Sequence, residues 1–286
     1  MDVTFLPTPT ADGSQTFYST TFGEQFHSRD GAYDEARRTY AAATNLQALA
    51  QQQNAIVLLD ICYGLGYNTA AALEAIWAAN PDCEVTVIGL ELDPQVPKAA
   101  IAQNLTQAWP EPVQPVLQAL ADKGQVQGRC QGQLWIGDAR QQIQTLVDQG
   151  WRGDRIFLDP FSPPRCPQLW TVEFLSLVAQ CLKPEGILAT YSCAAAVRAG
   201  LQLAGLHLRT TRAVGRKWPA TIARWIDQDL PPLSHQELEH LQTRAAVPYR
   251  DPTLRDSAAA ILERRSRSQA TSDLASTALW RKRWLA

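Results

Sequence analysis

Short apolar runs alternate with helix-like segments through the middle of the chain, and this alternation limits the possible folds more than any other feature. Continuous runs such as "NAIVLLDIC" at 54–62 and "DRIFLD" at 154–159 suit strands that are buried on both faces of a parallel sheet. Segments with helical spacing, such as "TAAALEAIWAAN" at 69–80, separate them. This order predicts an α/β fold with a doubly wound, Rossmann-like sheet, in which ligands bind at the carboxyl ends of the strands.

Further strands and helices complete this pattern. Apolar runs predict strands at 83–93, 132–139 and 186–193, and a closing antiparallel pair at 207–214 and 220–226. Helices are expected between them and also before the first core strand, over 31–53, whereas the Pro-, Gln- and Gly-containing segment 110–132 is expected to be irregular.

The chain divides into three predicted regions. Asp12-Gly13 lies between two β-prone runs and predicts an N-terminal β-hairpin within residues 1–24. Residues 25–226 form the α/β domain, and 227–286 form a mostly helical extension that follows a Pro-containing linker. The net charge of −2 divides unevenly, with −8 over residues 1–204 and +6 over 205–286, so the last third favours contact with a polyanion or simply has a solvated helical surface.

Composition excludes several classes of protein. The six cysteines are scattered without a C-x-x-C pair, and the histidines do not cluster, so neither a metal site nor a disulfide framework is expected. No apolar run approaches the roughly 20 residues needed to span a bilayer, and no secretory leader pattern is evident. These observations predict a soluble protein of the reducing cytoplasm.

A nucleoside site is indicated at the ends of the first two core strands. Gly64 and Gly66 form a G-x-G turn between strand and helix, where backbone can approach a ligand closely. Glu91 ends the next strand about 25 residues later, where an acid binds ribose hydroxyls; Asp93 is assigned to helix capping. A third glycine is missing, which favours a nucleoside without a pyrophosphate, and S-adenosylmethionine is the leading candidate. Asp138 ends the third strand, where it can accept a hydrogen bond from an adenine amine or cap a helix.

The stretch "LDPFSPP" predicts the reacting end of the site. Asp159 ends the fourth strand, and Pro160, Pro163 and Pro164 make the following loop stiff and non-helical. A carboxylate here can accept hydrogens from an amine and orient its lone pair, while Phe161 can stack on an acceptor base. The alternative is a rigid connector in which Asp159 caps a helix.

Three sequence blocks resemble the methyltransferase half of the bifunctional MnmC proteins. They are "FLDPFSPPRCPQLWT" at 157–171, "ATYSCAAAVRAGLQLAGL" at 189–206 and "VGRKW" at 214–218. "FHSRDGAYDEA" at 26–36 is similar to the segment ahead of the glycine turn in stand-alone members, and "WIGDA" resembles their WFGD. The family's TGFGTGLNFL is "ICYGLGYNTA" here, which places Cys62 at a glycine position, and Pro160 stands where many members have glycine.

The resemblance implies methyl transfer from S-adenosylmethionine to the exocyclic amine of 5-aminomethyl-2-thiouridine at the tRNA wobble position. It implies cofactor contacts at Gly64, Gly66, Glu91, Asp138 and Asp159, and an acceptor site at Asp159 and Phe161. A flavin-binding G-x-G-x-x-G is not found, so no FAD domain is expected. The basic residues Arg212, Arg216 and Lys217 are expected to contact tRNA phosphates, and an arginine stripe in the tail to extend that surface.

Two other functions stay open from the residues alone. One is a small-amine methyltransferase or an enzyme like the aminopropyltransferases, because such enzymes combine a similar nucleoside fold with an acidic amine site. The other is a non-catalytic RNA-binding protein on the same fold, which the changed glycine turn would allow.

Overall fold

A mixed sheet forms the centre of the protein, as seen in a computed structural model that describes residues 5–211, 219–227 and 231–284. In chain order the strands are β1 (Thr8–Pro9), β2 (Gln15–Thr16), β3 (Tyr18–Ser19), β4 (Glu24–Gln25), β5 (Ala55–Ile61), β6 (Glu84–Glu91), β7 (Gln125–Val126), β8 (Cys130–Ile136), β9 (Gly153–Leu158), β10 (Leu182–Thr190), β11 (His207–Thr210) and β12 (Thr221–Arg224).

The strand order of the central sheet is β11-β12-β10-β9-β5-β6-β8-β7. The inner strands β10, β9, β5, β6 and β8 are parallel, whereas β7, β11 and β12 pair antiparallel at the two edges. Ile61 of β5 lies between Leu158 of β9 and Leu90 of β6, so three strands end at nearly the same level. After β5 the chain adds β6 and β8 on one side of it and then β9 and β10 on the other side, so the carboxyl end of β5 is the switch point where such sheets bind ligands.

Helices cover both faces of the sheet. They are α1 (Ala32–Glu35), α2 (Leu46–Gln52), α3 (Tyr67–Ala79), α4 (Gln95–Ala102), α5 (Gln114–Lys123), α6 (Ala139–Asp148), α7 (Val172–Gln180), α8 (Ala195–Leu203), α9 (His235–His240), α10 (Ala258–Ala270) and α11 (Thr277–Trp284). A π-helical stretch, Ala36–Ala42, continues α1. Buried residues of α1–α5 form one core, and those of α6–α8 form the other. The predicted doubly wound α/β fold is therefore confirmed.

One predicted region is wrong. Segment 110–132 was expected to be irregular because of its Pro, Gln and Gly content, but it contains α5 and the short strand β7. Pro115 lies in the first turn of α5, where a missing N–H removes no helical hydrogen bond. Val116, Leu117 and Leu120 are buried on one side of the helix, and burial of that side outweighs the weak helix signal of the glutamines.

The N-terminal residues form two small antiparallel ladders. β1 pairs with β2 across the predicted Asp12-Gly13 turn, and β3 pairs with β4 immediately afterwards. Phe17 lies between the ladders and is fully buried in the core. We call residues 18–28 the second hairpin segment; it packs beside the carboxyl ends of the central strands, where it borders the site described below.

The C-terminal extension folds back onto the body. Ser234 caps α9 in a reciprocal capping box with Glu237, and Glu237 pairs with the buried Arg198 of α8 at 2.7 Å. Trp280 of α11 stacks on His240 with a ring separation of 4.0 Å and is buried, so it packs α11 against α9. The boundaries at residues 24 and 226 stay a prediction. Over the described residues, no helix is both long and apolar enough to cross a membrane.

Candidate active site

A cavity of about 450 Å³ opens at the carboxyl ends of β5, β6, β8 and β9. Five of the predicted site residues line it together: Gly64, Glu91, Asp138, Asp159 and Phe161. Gly66 does not line the cavity. A Cβ at Gly66 would lie 2.6 Å from the Tyr63 hydroxyl, and its φ of +83° lies in the left-handed region, so this glycine serves the turn itself.

The glycine turn has two further positive φ angles. Gly64 has φ +56°, and a Cβ there would approach the Phe26 ring to 3.5 Å at the cavity wall. Cys62 has φ +67° although it is not glycine, a conformation that crowds Cβ against the backbone. Position 62, where the resembling family has glycine, therefore has a backbone conformation that favours glycine in this chain as well.

Glu91 braces the glycine turn from the neighbouring strand. Its Oε2 accepts from the Gly64 amide at 2.7 Å, and its Oε1 accepts from the Asp93 amide at 2.9 Å. Burial raises the pKa of Glu91, and these backbone hydrogen bonds oppose the rise. A carboxylate has about four acceptor positions, so Glu91 can still accept from a ligand hydroxyl in the cavity. Asp93 caps the next helix by accepting from the Gln95 amide, as predicted.

The Asp138 side chain both caps a helix and pairs with a guanidinium. It caps α6 by accepting from the Arg140 amide at 2.9 Å, and its Oδ2 accepts from the Arg140 guanidinium at 2.7 Å. Both side chains line the cavity. The two alternatives drawn from the sequence, capping and ligand contact, are therefore compatible in one residue.

Asp159 lies at the end of β9, where burial raises its pKa to about 6. The Tyr40 hydroxyl and the Asn68 amide interact with the carboxylate and oppose this rise, and Asn68 Nδ2 donates to Oδ2 at 2.8 Å. Asp159 does not cap the following helix: Thr171 caps α7 by accepting from the Phe174 amide. The carboxylate faces the cavity, ionises near neutral pH and has acceptor capacity left.

The proline loop after Asp159 is held from three sides. Tyr191 donates to the Pro160 carbonyl at 2.9 Å, and the Trp170 indole donates to the Phe161 carbonyl at 2.8 Å. From the second hairpin segment, Glu24 accepts from the Ser162 amide at 2.9 Å and from its hydroxyl.

Phe161 belongs to an aromatic cluster. Phe22 stacks on its ring at 4.4 Å, and Phe26 meets the ring edge-on at 5.0 Å. All three rings line the cavity, so the cluster gives the reacting end an apolar wall.

Comparison with known proteins identifies the family of this chain. Residues 97–225 match a family model described as S-adenosyl-L-methionine-dependent methyltransferase. The crystal structure of MnmC2 from Aquifex aeolicus superposes with a TM-score of 0.83 at 30% sequence identity, covering 95% of this chain and 87% of that one. The chain belongs to the MnmC methyltransferase family.

Other relatives agree with this assignment. The tRNA 5-methylaminomethyl-2-thiouridine biosynthesis bifunctional protein MnmC of Ralstonia nicotianae is 30% identical over 233 residues, which is 76% of this chain but 34% of that protein. An uncharacterized protein of Methanocaldococcus jannaschii is 29% identical over 254 residues, covering 86% of this chain and 67% of that protein. The chain spans about one third of the length of the bifunctional MnmC relatives it matches.

The cavity fits the cofactor of this MnmC methyltransferase family. S-adenosylmethionine carries a sulfonium and an ammonium group, and the lining contains the carboxylates of Glu91 and Asp159. Arg140 is the cationic guanidinium at the wall, and Asp138 and Asp251 pair with it. The volume falls within the range of about 300–1,000 Å³ typical of small-molecule sites. Glu91 would hold ribose hydroxyls, Asp138 would lie near adenine, and Asp159 would lie at the reacting end.

Several residues in or next to the site were not predicted from the sequence. Asp60 does not line the cavity; it is fully buried in β5 and accepts from Thr69 Oγ1 at 2.7 Å, and burial raises its pKa to about 7. An acid inside an otherwise apolar run was a usable signal, because such groups are rarely buried without a role. Glu24, Arg140 and Tyr191 gave no comparable signal, since their contacts join segments far apart in the sequence.

The predicted RNA contacts stay a prediction. Arg212, Arg216 and Lys217 lie outside the described residues, so their role stays a prediction. In the tail, several arginines have partners within the chain: Arg264 pairs with Asp256, Arg267 with Glu263 and Arg283 with Glu239. Arg265 donates to the carbonyls of Val247 and Ala245. These contacts lie within the extension, and the prediction that the tail arginines extend an RNA surface stays a prediction.

Proposed function

We propose that the protein transfers a methyl group from S-adenosylmethionine to the exocyclic amine of 5-aminomethyl-2-thiouridine at the wobble position of tRNA, giving 5-methylaminomethyl-2-thiouridine. The name of the bifunctional relatives supports the product, and the family model supports the cofactor. The observation that carries the proposal is Asp159, a carboxylate with a pKa of about 6 in the cavity wall beside an aromatic cluster.

Asp159 would act on the acceptor amine. Bound S-adenosylmethionine supplies an electrophilic methyl group. An amine attacks only as the neutral base, and an ionised Asp159 accepts hydrogen bonds from its N–H groups and so directs the lone pair away from the carboxylate. Positive charge develops on the nitrogen during transfer, and the nearby carboxylate stabilises that charge in a site with little water.

The proline loop would fix the geometry of this step. The carbonyls of Pro160 and Phe161 already accept from Tyr191 and Trp170, so each has one acceptor position left. Asp159 is therefore the strongest acceptor available to the amine. Holding the reacting groups in place before substrate arrives removes part of the entropic barrier.

The substrate and setting follow from the same proposal. We place the wobble uridine of tRNA in the cavity and the enzyme in the cytoplasm, where tRNA is found. The six cysteines, all within the described ranges, are free thiols, which suits a reducing compartment. Neither the small-amine enzyme nor the non-catalytic RNA-binding protein finds support among the relatives described above.

The test is methyl transfer with purified protein, labelled S-adenosylmethionine and tRNA from cells that lack this gene, followed by nucleoside analysis. We expect label in 5-methylaminomethyl-2-thiouridine. The Asp159→Asn variant should lose about 100- to 1,000-fold in rate while binding S-adenosylhomocysteine within a few-fold of wild type. Asp82→Asn, an exposed carboxylate in a turn, is the matched control and should retain full activity.

Two results would contradict the proposal. Label in another nucleoside would move the acceptor, and full activity of Asp159→Asn would remove the carboxylate from the mechanism. Rapid, salt-insensitive turnover of a free polyamine without tRNA methylation would instead favour the small-amine alternative.

A further inference from the structure

Arg140 joins the cavity to the C-terminal extension. Its guanidinium donates through Nη2 to Asp138 at 2.7 Å and through Nη1 to Asp251 at 3.0 Å. A third bond runs from Nη1 to the Asp256 carbonyl at 3.0 Å. Asp251 is fully buried, and the side chain of Arg140 is 13% exposed, so this is a nearly desolvated ion pair between parts of the chain 111 residues apart.

Asp251 is fixed without help from Arg140. The Asp251 amide donates to Glu173 Oε2 at 2.8 Å, and the Glu173 carboxylate also pairs with Arg250. Asp251 Oδ1 accepts from the amides of Arg255 and Asp256. The preceding segment is anchored as well, because the Val172 amide donates to the Tyr249 carbonyl and Arg265 lies over the Tyr249 ring. Asp251 is therefore a rigid point to which Arg140 is tied.

We propose that Asp251 is a positioning residue for the cofactor site: through Arg140 it holds the Asp138 carboxylate at the nucleoside end of the cavity. This inference rests on the proposed function, since it takes Asp138 as a neighbour of the cofactor's adenine. It assigns the C-terminal extension a part in cofactor binding, in addition to any contact with RNA.

The physical reason lies in the fork of the guanidinium. Arginine presents planar donors in fixed directions, so one side chain can hold two carboxylates at a set distance. Without Asp251, the Arg140 guanidinium loses the partner that fixes its position. Asp138 then still accepts the capping bond from the Arg140 amide, but its carboxylate is no longer held in one orientation. A lysine at position 140 would keep the charge and lose the fork.

The test measures binding of S-adenosylhomocysteine and of 5′-methylthioadenosine by calorimetry, without tRNA. We expect Asp251→Asn to weaken both ligands by about tenfold, because both carry the adenosine that Asp138 faces. In turnover with tRNA, the KM for S-adenosylmethionine should rise by about the same factor, whereas kcat at saturating cofactor should stay within twofold. Glu239→Gln removes one carboxylate from another ion pair of the extension and should change neither affinity by more than twofold.

A second variant guards against a folding defect. Arg140→Lys should show a loss at least as large, and the double variant with Asp251→Asn should bind no more weakly than Arg140→Lys alone, because both substitutions break the same link between Arg140 and Asp251. Unchanged affinity in either folded single variant, even with a lowered melting temperature, would overturn the proposal. So would a loss confined to S-adenosylhomocysteine, which would place the effect at the amino-acid end. If tRNA is not methylated but these affinities change as stated, the proposed acceptor fails and the positioning role stands.

Discussion

Asn68, near the start of α3, donates a hydrogen bond of 2.8 Å to the carboxylate of Asp159 at the end of β9. The contact joins the start of α3, which follows the glycine turn, to the end of β9, which leads into the proline loop. It also tunes the acid, because a donor to a carboxylate stabilises the ionised form.

The acid limb of the pH–rate profile should report Asp159. Burial raises its pKa to about 6, so activity should fall as the pH drops below about 6 and the carboxylate takes up a proton. Asn68→Ala removes a bond that lowers this pKa, and the acid limb should move to higher pH by about half a unit to one unit. Stopped assays of kcat/KM from pH 5 to pH 9 measure the shift. An acid limb at the same pH in both proteins would assign it to the acceptor amine.

Asp159 should cost the protein stability at neutral pH. Its pKa is raised from 3.8 to about 6 in the folded state, so folding disfavours the ionised form, and the penalty is complete above about pH 6 and absent below about pH 4. This shift corresponds to about 3 kcal/mol. Asp159→Asn also weakens the hydrogen bonds from Tyr40 and Asn68, so the variant should raise the free energy of unfolding by about 1 to 2 kcal/mol at pH 8. Urea unfolding at pH 8 and pH 4 tests this, and an equal gain at both values would point to a cause other than ionisation.

Glu24 should matter for the acceptor and not for the cofactor. Glu24→Gln loses the charge that accepts from the Ser162 amide and hydroxyl, and charge-assisted bonds of this kind contribute about 1.5–3 kcal/mol. We expect kcat/KM for tRNA to fall about tenfold and the affinity for S-adenosylhomocysteine to stay within twofold. Glu111→Gln, at an exposed site, is the control. A selective loss of cofactor affinity would contradict this division of the cavity.

Glycine should stabilise position 62 relative to alanine. Both Cys62→Gly and Cys62→Ala remove the thiol, but only glycine relieves the left-handed conformation at φ +67°. We expect the glycine variant to exceed the alanine variant by about 1 kcal/mol in unfolding free energy, the reverse of the usual order. Chemical denaturation of the two variants decides the point, and a more stable alanine variant would mean that the turn adopts another conformation in solution.

The basic residues predicted to contact tRNA can be tested by salt dependence. Replacing Arg216 and Lys217 by glutamine should weaken tRNA binding at all sequences and reduce the slope of log affinity against log salt by about 1 to 2. S-adenosylhomocysteine binding should not change. Lys98→Gln, on the exposed side of α4, is the control, and an unchanged salt slope in the double variant would place the RNA surface elsewhere.

Much of the fold was predictable because strand burial leaves a direct mark on the sequence. β5 and β9 are apolar runs that are hydrogen-bonded on both sides, so apolar residues occupy both of their faces. α5 was not predicted, since its glutamines and Pro115 resemble a loop, and only packing against the body selects the helix.

The part of the site that was predictable consists of residues that directly follow or end a core strand. Gly64, Glu91, Asp138 and Asp159 meet because parallel strands end at one edge of the sheet. The contacts that orient these side chains were not predictable, because they join segments far apart in the sequence. Arg140 contacts Asp251 only when the C-terminal extension packs on the body, and Glu24 contacts Ser162 only when the second hairpin segment packs on the proline loop.

The loop from Asp159 to Ser162 is bonded to Asn68, Tyr191, Trp170 and Glu24 before any substrate enters. Because this wall of the cavity is already formed, no closure step triggered by the correct substrate is needed at this end. Selection among amines then depends on fit to a fixed shape, as in lock-and-key recognition and in contrast to induced fit. If the proposed function holds, an amine that reaches Asp159 in the right orientation should be methylated whatever the rest of its molecule is, and further discrimination would have to come from contacts outside the cavity.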